Sequence, residues 1–312
     1  MWASEEKNAL GDIAQKALHS AFSREASNVY RGIDTQLMTG QRQDFIHYQP
    51  RRVVLNFPRE ASSPWFSHYQ SRSDSFKRPD RHTTRQNQGA AAKIVEGDRI
   101  WIVSQIYSPW GALPPGIDAC VEVESVSRRR GGGFHFIAAP TSRWFPLKDA
   151  GGLLGALRTV NSVGEKADLW ADARRPVGCS IQRMRQLDSA QALEDWEQRL
   201  ELLPLNFISY RIADGTQQAF EKVQELLMRG NKVFWDRWCL PRRLAERREC
   251  VNDKALDAQL MSHLQMASVV WGIESPLYAD VESYAQKECA AARELGTYKR
   301  VRARRVASLQ LA

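Results

Sequence analysis

Between residues 205 and 275, three short apolar runs alternate with stretches of helical spacing, and this alternation restricts the possible fold more than any other feature of the chain. Residues 205–211 (Leu-Asn-Phe-Ile-Ser-Tyr-Arg) read as a buried strand that runs into a turn at Asp214-Gly215. Phe220, Val223, Leu226 and Leu227 then recur at the spacing of one helix face. A second strand follows at 232–236 (Lys-Val-Phe-Trp-Asp), then a helical segment at about 254–266, then a third apolar run at 268–274 closed by Ser275-Pro276. Strands alternating with helices predict a parallel α/β sheet. Chemistry in such sheets gathers beyond the carboxyl ends of the strands. Those ends carry Ser209, Tyr210, Arg211, Asp236, Glu274 and Ser275.

Phe207-Ile208-Ser209-Tyr210-Arg211 with Asp214 resembles the opening strand of a TIR domain. Val233-Phe234-Trp235-Asp236 is similar to its second strand, which enters the BB loop. Val270 to Ser275-Pro276, with Tyr278, resembles its third strand and the following turn, and Ser283-Tyr284 through Glu288 resembles the start of the next helix. The likeness covers about a third of the chain and implies a flavodoxin-like parallel sheet over 204–312. Two departures stand out. Only residues 297–312 follow that helix, which leaves room for one more strand where the family usually has two. Tyr284 stands where enzymatic members often carry Trp.

The resemblance implies a site. Glu288 falls where NAD-cleaving members carry a glutamate that serves scission of the nicotinamide–ribose bond. The residue type suits the chemistry. Loss of nicotinamide leaves an oxocarbenium-like ribose, which a carboxylate stabilises, and the leaving group needs no acid. Tyr284 lies four residues before Glu288 and shares its helix face. Phe207, Ser209 and Arg211 are candidates to line the pocket, with Arg211 toward a phosphate; core packing for Phe207 and an ion pair of Arg211 with Asp214 or Asp236 stay open. Asp236 is a candidate substrate contact or a brace for the BB loop, and Trp238 either stacks on the substrate or caps the core. The BB-loop stretch 237–251, rich in arginine, has self-association as its implied use.

The N-terminal 200 residues form a second predicted domain, either α+β or a small β-barrel. Leu10, Ile13, Ala14, Ala17, Leu18 and Phe22 predict an opening helix, residues 53–57 a strand, and the polar stretch 67–90 a loop. From 93 to 160, short strands alternate with turns, and the order is weakly similar to PUA/EVE-like barrels that bind modified bases or RNA. Trp101, Trp110, Trp144 and Phe145 are candidates for a stacking platform as much as for core. The stripe Leu193, Trp196, Leu200 predicts a helix connecting the two domains.

Composition sets the remaining limits. The net charge of +8 is spread over both halves and carries no groove-reading motif. Five cysteines without a pairing or zinc pattern suit a reducing cytoplasm, and no run is apolar enough to suggest a membrane span. No metal or bound cofactor is expected; NAD enters as substrate. The sequence reading is thus a cytoplasmic NAD hydrolase giving nicotinamide and linear or cyclic ADP-ribose. The setting implied by the resemblance is bacterial antiphage defence, with activation by assembly or by a nucleotide, nucleic-acid or protein trigger acting on the N-terminal domain. Two alternatives stay open: a deoxyribosyltransferase-like N-glycosidase, and a non-catalytic TIR scaffold.

Overall fold

The computed structural model describes residues 42–54, 65–66, 77–172, 174–240, 254–278 and 283–302. The first region gives β1 (Asp44–Tyr48), β2 (Arg51–Val54), β3 (Trp65–Phe66), β4 (Arg81–Thr84), a 3-10 turn (Gly89–Ala92), β5 (Arg99–Ser104), β6 (Ile106–Ser108) and β7 (Gly111–Ala112). It continues with β8 (Gly116–Arg128), β9 (Phe134–Ala138), β10 (Arg143–Trp144), α1 (Gly151–Ala156), β11 (Arg158–Val160), β12 (Lys166–Asp168), α2 (Val177–Ile181), β13 (Arg185–Leu187) and α3 (Gln191–Leu202). The second region holds β14 (Leu205–Tyr210), α4 (Ile212–Met228), β15 (Lys232–Phe234), α5 (Asp236–Cys239), α6 (Lys254–Met266), β16 (Ala267–Glu274), α7 (Tyr284–Glu294) and β17 (Tyr298–Arg302).

The second region builds an all-parallel sheet in the order β15-β14-β16-β17. Its central strand β14 is buried along its whole length, with α4 packed on one side and α6 on the other. Along β14, Phe207 and Ser209 point one way, where Phe207 stacks on Phe234 at 4.7 Å and Phe234 meets His263 of α6 at 4.4 Å. Asn206 points the other way and accepts from Trp271 Nε1, the indole that lies under Lys222 of α4. The four predicted pieces therefore fall on β14, β15, β16 and α7, and the short tail supplies one strand, β17.

The first region forms a mixed sheet in the order β12-β11-β13-β1-β5-β8-β9-β4, with β10 beside β8. A further four-stranded sheet in the order β3-β2-β6-β7 belongs to the same region, and among the described residues neither path closes on itself. Long β8 turns a hairpin with β9 at Gly131–Gly133, and its buried first half pairs with β5 while its exposed second half pairs with β9. The stretch 67–90 is not a loop throughout. Residues 81–84 are strand β4 against β9, because His82 and Thr84 turn inward and His82 stacks on Phe136. Residues 67–76, the helix predicted around Leu10–Phe22 and the strand end at 55–57 lie outside the described residues.

Leu193, Trp196 and Leu200 do form a buried stripe on α3, but they pack into the first core with Ile46, Trp101 and Phe145. The two sheets meet elsewhere. Leu147 and Val233 exchange both backbone hydrogen bonds, at 3.0 and 2.8 Å, so the 147 segment covers the edge of β15. Ile106, Leu113 and Leu147 belong to the core of the second sheet. No helix among the described residues is long and apolar enough to cross a membrane.

Candidate active site

At the carboxyl end of β14 the chain brings three elements together. Ser209, the inward residue before the strand ends, is fully buried and its Oγ lies 3.0 Å from the hydroxyl of Tyr278, in the turn after β16. Ser283 caps α7 by accepting from the N–H of Gln286, which starts the helix where it aims Glu288 back at Ser209. Glu288 is buried at 6% exposure. Burial pushes its carboxyl up to about 8; the hydroxyl of Ser209 opposes this with a hydrogen bond, and the negative charge of Asp236 adds to it. When the carboxylate forms, Ser209 donates to it and Tyr278 donates in turn to Ser209. Burial also raises the Tyr278 phenol, so that group stays a donor.

Asp236 opens α5 beside this cluster. Its Oδ1 accepts from Tyr210 Oη at 2.7 Å and from the N–H of Arg237 at 2.8 Å. Arg237 is fully buried, with Nε donating to Tyr210 Oη at 3.1 Å and lying 3.7 Å from Asp236 Oδ2. A second brace ties the neighbouring strand end. Asp214, in the first turn of α4, accepts from Ser275 Oγ at 2.6 Å and from the N–H of Leu277 at 2.8 Å. This fixes the turn that carries Tyr278 over Ser209.

The predicted site residues separate into two groups. Ser209, Asp236 and Glu288 come together, and Tyr284 is half-buried one helical turn before Glu288, with Lys287 over its ring at 5.2 Å. Arg211 is half-buried immediately before α4, at the same end of the sheet. Phe207 does not line a pocket: at 1% exposure it is core, stacked on Phe234. Of the two readings of Trp238, its burial suits the core. It is fully buried between the sheets, and its Nε1 donates to the carbonyl of Phe145 at 3.0 Å.

Sequence reasoning missed Arg237 and Tyr278. Arg237 reads as the first of a run of solvated arginines, and only the aromatic residues on both sides of it hinted at burial. The other BB-loop arginines, at 242, 243, 247 and 248, lie outside the described residues. Of the four candidate platform aromatics of the first region, Trp101 and Phe145 are core, and Trp110 and Trp144 are half-buried. Trp101 is fully buried and donates to Asp44, Phe145 stacks beneath it at 6.1 Å, and Trp110 packs on Phe220 of α4 at 5.8 Å. Among the described residues no cluster of His, Cys, Asp and Glu is placed to hold a metal ion. Comparison with family models, with curated proteins and with solved structures finds no match to this chain.

Proposed function

We propose that the chain is a NAD-cleaving hydrolase of the TIR kind, with its active site at the carboxyl end of the parallel sheet. The observation that carries the reading is Glu288: a carboxyl held out of water, beside a hydroxyl pair, at the strand ends where such sheets place their chemistry. The strand order β15-β14-β16-β17 among the described residues matches the first four positions, 2-1-3-4, of a flavodoxin-like sheet, which supports the reading.

The chemistry follows from the environment. A buried carboxyl raised to about 8 is mostly protonated at neutral pH, and a cationic nicotinamide ring arriving beside it favours loss of that proton. The carboxylate then faces the positive charge that develops on the ribose as nicotinamide leaves. In a site of low dielectric that interaction is stronger than it is in water. Ser209, supported by Tyr278, holds the carboxylate in one orientation. Arg237, Tyr210 and Asp236 form the wall next to it. Self-association of the TIR-like half and control by the first region, in a defence setting, complete the proposal.

The test is direct. Purified protein incubated with NAD should release nicotinamide and ADP-ribose or its cyclic form. Glu288→Gln should lower the rate about 10²–10³-fold, the typical effect of removing one preorganised electrostatic group. A native rate in that variant removes Glu288 from the mechanism. Base release from deoxynucleosides instead of NAD marks the N-glycosidase reading, and no turnover in assembled protein marks the scaffold.

A further inference from the structure

The first sheet carries a groove that the proposed reaction does not use. It has a volume of about 550 Å³ and lies where residues 86–90 after β4, the turn at 160–162 after β11, and residues 183–186 leading into β13 meet. Its apolar floor includes Met184. Lys93, Arg183 and Arg185 surround it, and no carboxylate lines it. On β11 and β12, Arg158 pairs with Asp168 at 3.7 Å, and Lys166 with Asp188 at 2.8 Å. The three groove cations are exposed and have no ion-pair partner among the described residues. Such a concave, single-sign surface draws anions.

Five side-chain amides line the groove: Gln86, Asn161 and Gln186 are hydrogen-bonded within the fold, and Asn87 and Gln88 are exposed. One of them is fixed with unusual care. Gln86 Oε1 accepts from the N–H of Met184 at 3.0 Å, which leaves its Nε2 as a donor toward the carbonyl of Gln182 at 3.3 Å and His47 Nε2 at 3.1 Å. His47 Nδ1 lies 2.8 Å from His82 Nε2, and the two rings share a hydrogen bond. Both rings are buried, and burial holds His47 down at about 4 and His82 well below its ordinary value. The Gln86 side chain thus ties the segment after β4 to residues 182–184, with the two buried imidazoles behind it.

We propose that this groove binds a nucleotide, with the phosphate on Lys93, Arg183 and Arg185 and the edge of the base on the exposed amides of Asn87 and Gln88. Guanidinium groups suit phosphate oxygens, and a side-chain amide offers the donor and acceptor that a base edge requires. The volume falls in the range of small-ligand sites. The groove's volume suits one nucleotide, which favours a mononucleotide over a strand. Binding here does not depend on the NAD reaction; only the role of the nucleotide as a trigger rests on that reading.

The test uses the full chain carrying Glu288→Gln, so that NAD chemistry does not interfere, and calorimetric titration with AMP, GMP, CMP, UMP and inorganic phosphate. At least one mononucleotide should bind one to one with a dissociation constant below about 100 µM. Inorganic phosphate should bind at least about tenfold more weakly, since it lacks the base. The double variant Arg183→Glu/Arg185→Glu should lose about 30-fold or more in affinity while melting like its parent. Asn87→Ala, at an exposed groove position, should weaken the preferred nucleotide and leave phosphate binding unchanged, which keeps the test decisive if the charge reversal does not fold. The proposal is overturned if no mononucleotide binds at about 1 mM. Equal affinity in the folded double variant, or equal affinity for phosphate alone, also overturns it. So does an RNA of about ten nucleotides binding far more tightly than any mononucleotide, since that marks a strand-tracking surface. NAD turnover by the wild type is measured separately, so either reading can fail alone.

Discussion

Glu288 combines a buried position with a charge, and the combination has a thermodynamic signature. Its carboxyl titrates at about 8 in the folded chain against an ordinary value of 4.5, so the folded state holds the proton more tightly between those values. The sign follows from linkage: the contribution is full at low pH and is lost as pH rises toward and through 8, where the charge is buried in the folded state and solvated in the unfolded one. Glu288→Gln keeps the shape and removes the ionisation. Its melting temperature should match the wild type near pH 5 and exceed it by a growing margin toward pH 8, at about 2–4 °C for each kcal/mol in a chain of this size. Scanning calorimetry across that range checks this, and a margin independent of pH would show that Glu288 is not the buried titrating acid. At this scale the sequence was informative about Glu288 and Ser209, because resemblance singled out the strand end and the helix. It was silent on Tyr278 and Arg237, whose burial depends on contacts with Ser209 and Tyr210 from distant parts of the chain. For Phe207 and Trp238 both the core and the pocket were open, since an aromatic side chain suits either.

The elements were legible wherever apolar periodicity was strong. β14, α4, β15 and β16 fall where the runs and the helical spacing put them. β4 was hidden because Arg-His-Thr-Thr contains no aliphatic side chain, and its inward positions are filled by His82 and Thr84 instead. β17 is the other polar strand, an edge strand whose sequence Tyr-Lys-Arg-Val-Arg suits an exposed rim. Its docking depends on Gly272, which sits beside Ser209 in the register of β14 and β16. A Cβ at Gly272 would lie 2.3 Å from Tyr298 Oη, the hydroxyl that donates to Glu274 Oε1 at 2.9 Å. Gly272→Ala should therefore push Tyr298 off its seat and destabilise the fold by about 1–3 kcal/mol, the usual cost of overpacking. Tyr298→Ala removes the obstruction, so the double variant should be more stable than the sum of the single changes predicts. Denaturant unfolding of the four proteins measures the coupling. Strict additivity would show that the ring of Tyr298 is not what excludes a side chain at Gly272.

At the scale of the whole molecule, the junction between the sheets was the least legible feature. The sequence points to α3 as the connector because its stripe is amphipathic, yet that helix completes the first core. The contacts that join the sheets come from short strands and loops with no periodicity: Ile106, Leu113, Leu147 and Trp238. Trp238 is the centre of this joint. Its ring enters the second core, its Nε1 reaches the carbonyl of Phe145, and Gly116 admits it closely, since a Cβ there would lie 3.0 Å from the ring. Deleting a fully buried indole costs about 3–5 kcal/mol through lost packing and a cavity. Trp238→Ala should therefore lower the melting temperature by about 10 °C at the scaling for a chain of this length. Because the same core holds side chains of both regions, the wild type should melt in one transition, with near-ultraviolet and far-ultraviolet circular dichroism coincident. A tryptophan that stacked on substrate would behave otherwise: its removal would raise KM for NAD and leave the melt unchanged. Calorimetry and steady-state kinetics on this one variant thus separate a joint from a binding platform, and an unchanged melt with weakened NAD binding would overturn the assignment of Trp238 to the joint.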